Sequence, residues 1–351
     1  MFNEGRDQVF INASISFGYN SNVFDQKIAR GSPSGTLAYS ANYVRRSGII
    51  SVNATAAFTY DQFSSVKGQN ILDPDLSLVL AKGIGRTTGS LTFTAKRESQ
   101  PDPQVNDRPI SWDYSSALSL RYPVNERYYL TSATDVSTTR YNNRTLFSDL
   151  QSYGEDLGVN YIFDSKLDLF GAFRVRTSDT KAISEFDQSV ILGANGTLLP
   201  KLSGTLSVGG ERSESSTKGA GTAVYDDLTS AVNLYWRYSR VLSFNGSVSK
   251  DFAITATDIQ TDTTSEGVSM DASLGHRWRT NLGMTHVGTD FLGAAGAGRR
   301  DSLWEFTANV GTGLTTHIRV NLGYLYEINT STLSSVEFVD QNITLSLFAS
   351  Y

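Results

Sequence analysis

Three histidines, a Ser-x-x-Lys tetrad, one glycine-rich run and several paired acids are the residues of this 351-residue chain whose types could do chemistry. A serine nucleophile needs a base within hydrogen-bond reach and a third group that orients that base. His276 and His286 fall on the outward parity of neighbouring predicted strands, but spacing alone assembles no serine and orienting partner around them. His317 falls in a turn. Ser247-Val-Ser-Lys250 sends its two ends to opposite faces of a strand, because strand side chains alternate. The run 293–300 has the glycine content of a phosphate loop, without the Gly-Lys-Ser/Thr or the following helix such a loop needs, and reads as a flexible connection. Asp226-Asp227 and the pair Asp258 and Asp262 lack calcium-loop spacing. Cysteine is absent, so there is no thiolate nucleophile, no disulfide framework and no Cys-ligated metal. The expectation is a protein that is not an enzyme and has neither metal nor cofactor.

The remaining chemistry is charge. Lys96, Asp113, Arg121, Asp168, Arg174, Arg176, Arg237, Asp271, Arg277 and Arg319 all take the polar parity of alternating segments. Asp135, Asp156, Asp187, Asp251, Glu305 and Glu327 share that parity. Fixed charges facing a confined, hydrated space concentrate their counter-ions there. These residues are therefore candidates for lining a pore, with mixed signs and no strong preference for either sign of ion.

The elements that must position them are strands. The period is two almost throughout, and no amphipathic helix competes with it. Ile11, Ala13, Ile15, Phe17 and Tyr19 share one face, opposite Asn12, Ser14, Ser16 and Gly18. Val52, Ala54, Ala56, Phe58 and Tyr60 repeat the pattern, as do Ile343, Leu345, Leu347, Ala349 and Tyr351. About eighteen such segments follow one another, and a miscount of one hairpin would make sixteen or twenty. Their connections alternate in length. Short ones fall at 45–48, 83–86, 123–127, 164–166, 199–201, 239–240, 279–280 and 315–317. Long ones fall near 20–34, 62–73, 98–110, 140–150, 178–185, 213–224, 253–265, 291–301 and 329–337.

Strands of ten or more residues with one oily face and one polar face suit a membrane, where roughly ten tilted residues cross the apolar band. In lipid every backbone polar group needs a partner, so such a sheet must close on itself. The expected fold is all-β: one domain over 1–351, a transmembrane antiparallel up-and-down β-barrel of sixteen to eighteen strands. Long extracellular loops and short periplasmic turns place both termini in the periplasm, in a bacterial outer membrane. The polar start of the chain is not a signal peptide: either one was removed before Met1, or the argument for export rests on the rest of the chain. Aromatics such as Tyr43, Tyr114, Tyr153, Phe163, Trp278 and Tyr326 fall on the apolar parity, many near strand ends, like an interfacial girdle. Tyr351, the last residue, resembles the terminal aromatic that the outer-membrane barrel assembly machinery reads. Cations at the short turns, among them Arg45, Arg86, Arg127, Lys166, Arg279 and Arg319, are placed to meet lipid headgroups. Lipid, with lipopolysaccharide outside, is thus an expected partner. Nucleic acid is not, because Lys+Arg number 30 against 35 Asp+Glu.

Phe17-Gly-Tyr-Asn-Ser-Asn-Val-Phe24, where the first strand enters the first long connection, resembles a segment of the β-barrel porins of exopolysaccharide gene clusters, with Asn20-Ser21 where acidic residues are common. The resemblance implies export of a polysaccharide and periplasmic export proteins as partners. It carries over no functional residues. Two functions follow: a channel, for such a polymer or for hydrophilic solutes, or a structural barrel sealed by its own loops within a larger envelope assembly. The 98–110 connection, with Pro101, Pro103 and Pro109, is the segment expected to fold inward if the bore is closed.

Overall fold

The computed structural model describes residues 2–3, 7–46, 48–66, 68–102, 108–219, 221–275, 277–296 and 298–350. Alternating apolar and small polar residues give eighteen barrel strands. They are β1 (Asp7–Asn20), β2 (Ser32–Arg45), β3 (Ser51–Phe63), β4 (Ile71–Lys82), β5 (Thr88–Ser99) and β6 (Ile110–Pro123). Next come β7 (Tyr128–Tyr141), β8 (Leu150–Ile162), β9 (Leu167–Asp179), β10 (Ile183–Leu199), β11 (Leu202–Thr217) and β12 (Gly221–Trp236). The last six are β13 (Leu242–Ile254), β14 (Gln260–Leu274), β15 (Trp278–Phe291), β16 (Arg300–Gly313), β17 (Ile318–Ser331) and β18 (Phe338–Ser350). Each pairs antiparallel with the next, and β18 returns to β1 from Asn342↔Asn20 to Ser350↔Asn12. Closure leaves no edge strand around the waist. The stretch Phe2–Asn3 adds to the start of β1.

Side-chain parity follows the expectation. Ile15, Leu118, Leu206 and Leu345 are exposed on the outer wall, and Val320, opposite Leu347, shares that face. Trp236, Trp278, Tyr122, Tyr128 and Phe163 stand outward at the end carrying the short turns, and Tyr19, Tyr114 and Tyr153 towards the other end. Glu155 interrupts the apolar wall near mid-height, where Ser132 (2.9 Å) and Thr134 donate to its carboxylate. Gly196 and Gly204 face each other across the β10–β11 ladder. Both have a positive φ, and a Cβ on Gly196 would lie 2.0 Å from the Lys166 carbonyl oxygen, so only glycine fits there.

Expectations about four connections are corrected. The segments 178–185, 213–224 and 253–265 are mostly strand: β9 and β10 are joined by 180–182, β11 and β12 by 218–220, and β13 and β14 by 255–259. Ladder hydrogen bonds continue past the apolar wall, where water on both faces removes the need for an oily side, so the polar run looked like a loop. The short connection expected at 279–280 falls at 275–277, with Arg279 and Thr280 in β15. Arg277 is also not in a strand. β14 ends at Leu274, and Gly275, in the left-handed region, starts the turn that carries it. The run 293–300 includes one helical turn, Gly293–Gly296. His276 and Tyr351 lie outside the described residues.

Candidate functional site

Small inward residues leave space in the bore along the arc from β14 through β18 to β3. At the turn end a cavity of about 1480 Å³ is lined by Asn12, Ser14, Ser40, Asp271, Asn281, Asn309 and Asn321, together with arginines. At the other end, here the loop end, a second cavity of about 610 Å³ is lined by Asp25, Asp61, Glu327, Asp340 and Arg108. The carboxylates of Asp25, Glu327 and Asp340 come close enough to share one cation. Asp25 sits in the 21–31 connection with a positive φ. Burial, and then the charges of Glu327 and Asp340, push its carboxyl up to about 8 against the pull of Arg108. Burial likewise lowers the Arg108 guanidinium from its usual range.

The opposite arc is filled. The β12–β13 ladder is the shortest in the barrel, seven residue pairs from Ser230↔Lys250 to Trp236↔Phe244. Beyond it the strands part. Gly221–Thr229 stays on β11, while the top of β13 stays with β14 and turns into the lumen. Phe252 has outward parity yet is only 4% exposed, because it is covered from outside by Tyr225 of β12 at 6.4 Å between ring centres. Inward-facing groups of strands not bonded to this hairpin hold it. Arg176 donates to Asp187 (2.8 Å), to Asp251 (3.1 Å) and to the Phe252 carbonyl (2.6 Å). Arg174 bridges Glu211 (3.1 Å) and Asp251 (3.2 Å). Gln260 donates to Glu185 (2.6 Å), and on the bonded neighbour β12 Asp227 pairs with Lys250 (2.7 Å). The freed edge of β13 thus finds in Arg176 a donor that the β12 backbone no longer supplies. The hairpin tip then crosses the mouth: the Ser148 backbone N–H donates to the Ala256 carbonyl (2.8 Å), and its hydroxyl to Asp258 (2.6 Å).

The predicted pore residues therefore divide. Arg174 and Arg176 face inward as expected but are latches, not free wall charges. Lys96 is held by Glu98 (2.6 Å). Asp113 accepts from Thr139 and Ser111. Arg121 stacks at 3.8 Å on the ring of Tyr129, whose hydroxyl donates to Asp168 (2.7 Å). Arg237, Asp271, Arg277 and Arg319 all line the turn-end cavity. Of the 98–110 segment, 103–107 lie outside the described residues, while Gln100, Pro101 and Arg108 line the loop-end cavity. The constriction that is visible comes from the β13–β14 hairpin. The turn cations also divide: Arg86 lies over the Tyr122 ring and Arg127 reaches the Tyr161 hydroxyl, whereas Arg279 and Arg319 line the bore.

One constellation was missed. On the outer wall, His286 Nε2 lies 3.0 Å from Ser302 Oγ, its Nδ1 lies 3.7 Å from Glu266, and its ring stacks on Trp304 at 4.4 Å. The serine and acid come from β16 and β14, on either side of the histidine's strand, and only the pairing register brings them together. The backbones around it are engaged in ladders on both sides, so no N–H points to where an oxyanion would form. Ser247 and Lys250 point to opposite faces, and Lys250 is engaged by Asp227 and Asp262.

Fold and lumen define a class: a transmembrane antiparallel β-barrel of eighteen strands with a polar, partly obstructed bore. No protein-family model matches the chain, and no curated protein matches it. Among solved structures it is similar to OccK2 (OpdF) of Pseudomonas aeruginosa, at 11% identity and a TM-score of 0.54, over 98% of this chain and 97% of that one. It is also similar to OccAB4 of Acinetobacter baumannii, at 11% identity and 0.51, over 99% of both. The apoprotein form of the FrpB iron transporter of Neisseria meningitidis matches at 8% identity and 0.52, over 97% of this chain and 81% of that one. At such identities the likeness is one of fold.

Proposed function

We propose that this chain is an outer-membrane channel for small hydrophilic solutes, with its bore narrowed at the loop end by the β13–β14 hairpin. The observation that carries this reading is the polar cavity of about 1480 Å³ inside a wall whose outer face is apolar. An oily exterior belongs in lipid, and a barrel of this size has room for water inside. In this reading the loop end is extracellular, both termini are periplasmic, and Tyr351 serves insertion by the assembly machinery. The FrpB neighbour is named an iron transporter, which agrees with a role in transport. Conductance in planar bilayers tests the reading, and a barrel that stays silent after the hairpin latch is removed would overturn it.

Polysaccharide as cargo, with periplasmic export partners, rests on the 17–24 segment alone. There Asn22 is fully buried and donates to the carbonyls of Gln26 and Val339, while Asn20 donates to Asp340. Those side chains fix the 21–31 connection, and this accounts for the segment without a glycan. A specific observation favours the sealed structural barrel as second reading: the hairpin and the 142–149 connection meet over the mouth.

A further inference from the structure

The turn-end cavity carries an unbalanced charge. Arg237, Arg240, Arg277, Arg279 and Arg319 line it, and Asp271 is the acid among its lining residues. Asp271 is already engaged, accepting from Asn245 (3.1 Å) and Asn281 (2.9 Å). The described carboxylates that form salt bridges elsewhere in the molecule reach none of these five arginines. Mixed charge along the whole bore is therefore not what a solute meets at this end. It meets cations, while the loop-end cavity presents mostly carboxylates.

Two of the arginines are set up to act on one ligand. Arg279 is on β15 and Arg319 on β17, with β16 between them. Strands two apart are separated by about 10 Å, and Arg319 sits two residues nearer the turns than Asn321, the β17 residue level with Arg279, so the two backbones are roughly 12 Å apart, a span that two arginine side chains can close from either side. The inward residues of β16 at this height are Gly311, opposite Arg279, and Gly313, opposite Arg319. Neither places a side chain between them. A Cβ on Gly311 would approach the Asn321 side-chain oxygen to 3.1 Å, so the floor is as close to the neighbouring amide as a bare backbone allows. Asn281, Asn309 and Asn321 stand above the pair; Asn281 donates to Asp271 (2.9 Å) and Asn321 to Asn309 (3.4 Å), and each of these amides has a second N–H to offer. Guanidinium forks with amide N–H groups around an open floor match the oxygens of a carboxylate or phosphate.

We propose that the Arg279–Arg319 cleft of the turn-end cavity is a binding site for small multivalent anions bearing carboxylate or phosphate groups. This rests on the channel reading for its access to solutes, but the binding itself does not require conduction. The test is calorimetric titration of the detergent-folded full chain with citrate and, separately, with inorganic phosphate. Saturable binding of at least one is expected, weakening as salt rises. R279Q/R319Q is expected to weaken it at least tenfold, R279K/R319K to restore part of it, and R127Q, on the outer wall, to change nothing. Retained heat-modifiable gel mobility shows that each variant is folded. In bilayers the same anion should block chloride current in the wild type and not in R279Q/R319Q. No binding of either anion by the folded wild type, or equal binding by R279Q/R319Q, overturns the site. Silence in bilayers with intact, arginine-dependent binding overturns the channel and leaves the site standing.

Discussion

Replacing Arg176 by methionine should unlatch the mouth of the barrel without unfolding its wall. Methionine keeps the length of the side chain and removes every donor. In the latched form Asp187 is 1% exposed, and its carboxylate depends on Arg176. Asp251 loses one of its two arginines, and the Phe252 carbonyl loses its donor. Removing one partner of a buried ion pair costs about 3–5 kcal/mol, because the other charge remains uncompensated. The cost falls on the latched form alone, since an opened mouth lets water reach Asp187. At about 1.4 kcal/mol per tenfold, the latched-to-open ratio should fall by roughly two to nearly four orders of magnitude. Single-channel recording in planar bilayers would read this as long-lived, larger openings, while heat-modifiable mobility stays that of the wild type. The double charge reversal R174E/R176E should open the mouth further, because two more carboxylates would join Asp187, Asp251 and Glu211. Its gating change should exceed any simple shift of selectivity. If R176M conducts with wild-type amplitude and dwell times, the hairpin is not held by these contacts and the latch is wrong.

Three further outcomes are expected. Cysteines at Ile15, Leu118, Leu206, Val320 or Leu345 should resist a water-soluble thiol reagent in membranes, while cysteines at Asn12 or Ser40 react, and the opposite pattern would break the register. Asp25 has a folded pKa raised to about 8, so its contribution to holding the 21–31 connection is full below about pH 4 and lost as pH rises through 8. Ionisation beside Glu327 and Asp340 should loosen that connection, giving a conductance step near pH 8 that Asp25→Asn abolishes. A step unchanged in Asp25→Asn would assign it to another group. Tyr351→Asp should lower the amount of inserted barrel several-fold and leave the conductance of the inserted fraction alone, and normal membrane levels would show that the terminal aromatic is not read.

Strand number, closure and outward parity were legible because the apolar wall imposes a period of two on every segment, and a slip of one residue would turn that wall inside out. Connection lengths were less legible, because the constraint that writes the pattern ends where the oily wall ends. Beyond it β10 and β11 continue as polar ladder, and Ser184, Glu185, Ser213 and Ser215 look like loop residues. The outer-wall cluster was hidden for another reason. Glu266, His286 and Ser302 come from three strands, and their meeting depends on a pairing register that a single sequence does not state.

Parity also misled at the one place that matters most for passage. Assigning Phe252 to the outer wall by its parity assumes that β13 stays in the wall along its whole length. Whether it does is decided by the ladder to β12 competing with the contacts the lumen offers. Lys250 is the last β13 residue in that ladder and meets both Asp227, on the inward face of β12, and Asp262 of β14. Turning inward past this point buries Phe252 and gives the freed carbonyl to Arg176. The same two arginines that looked like selectivity charges in an alternating pattern are the reason the pattern fails there. A lumenal arginine two residues from another, facing acids on strands two and four away, is therefore a signature of a wall that has folded in, as much as of a wall that filters ions.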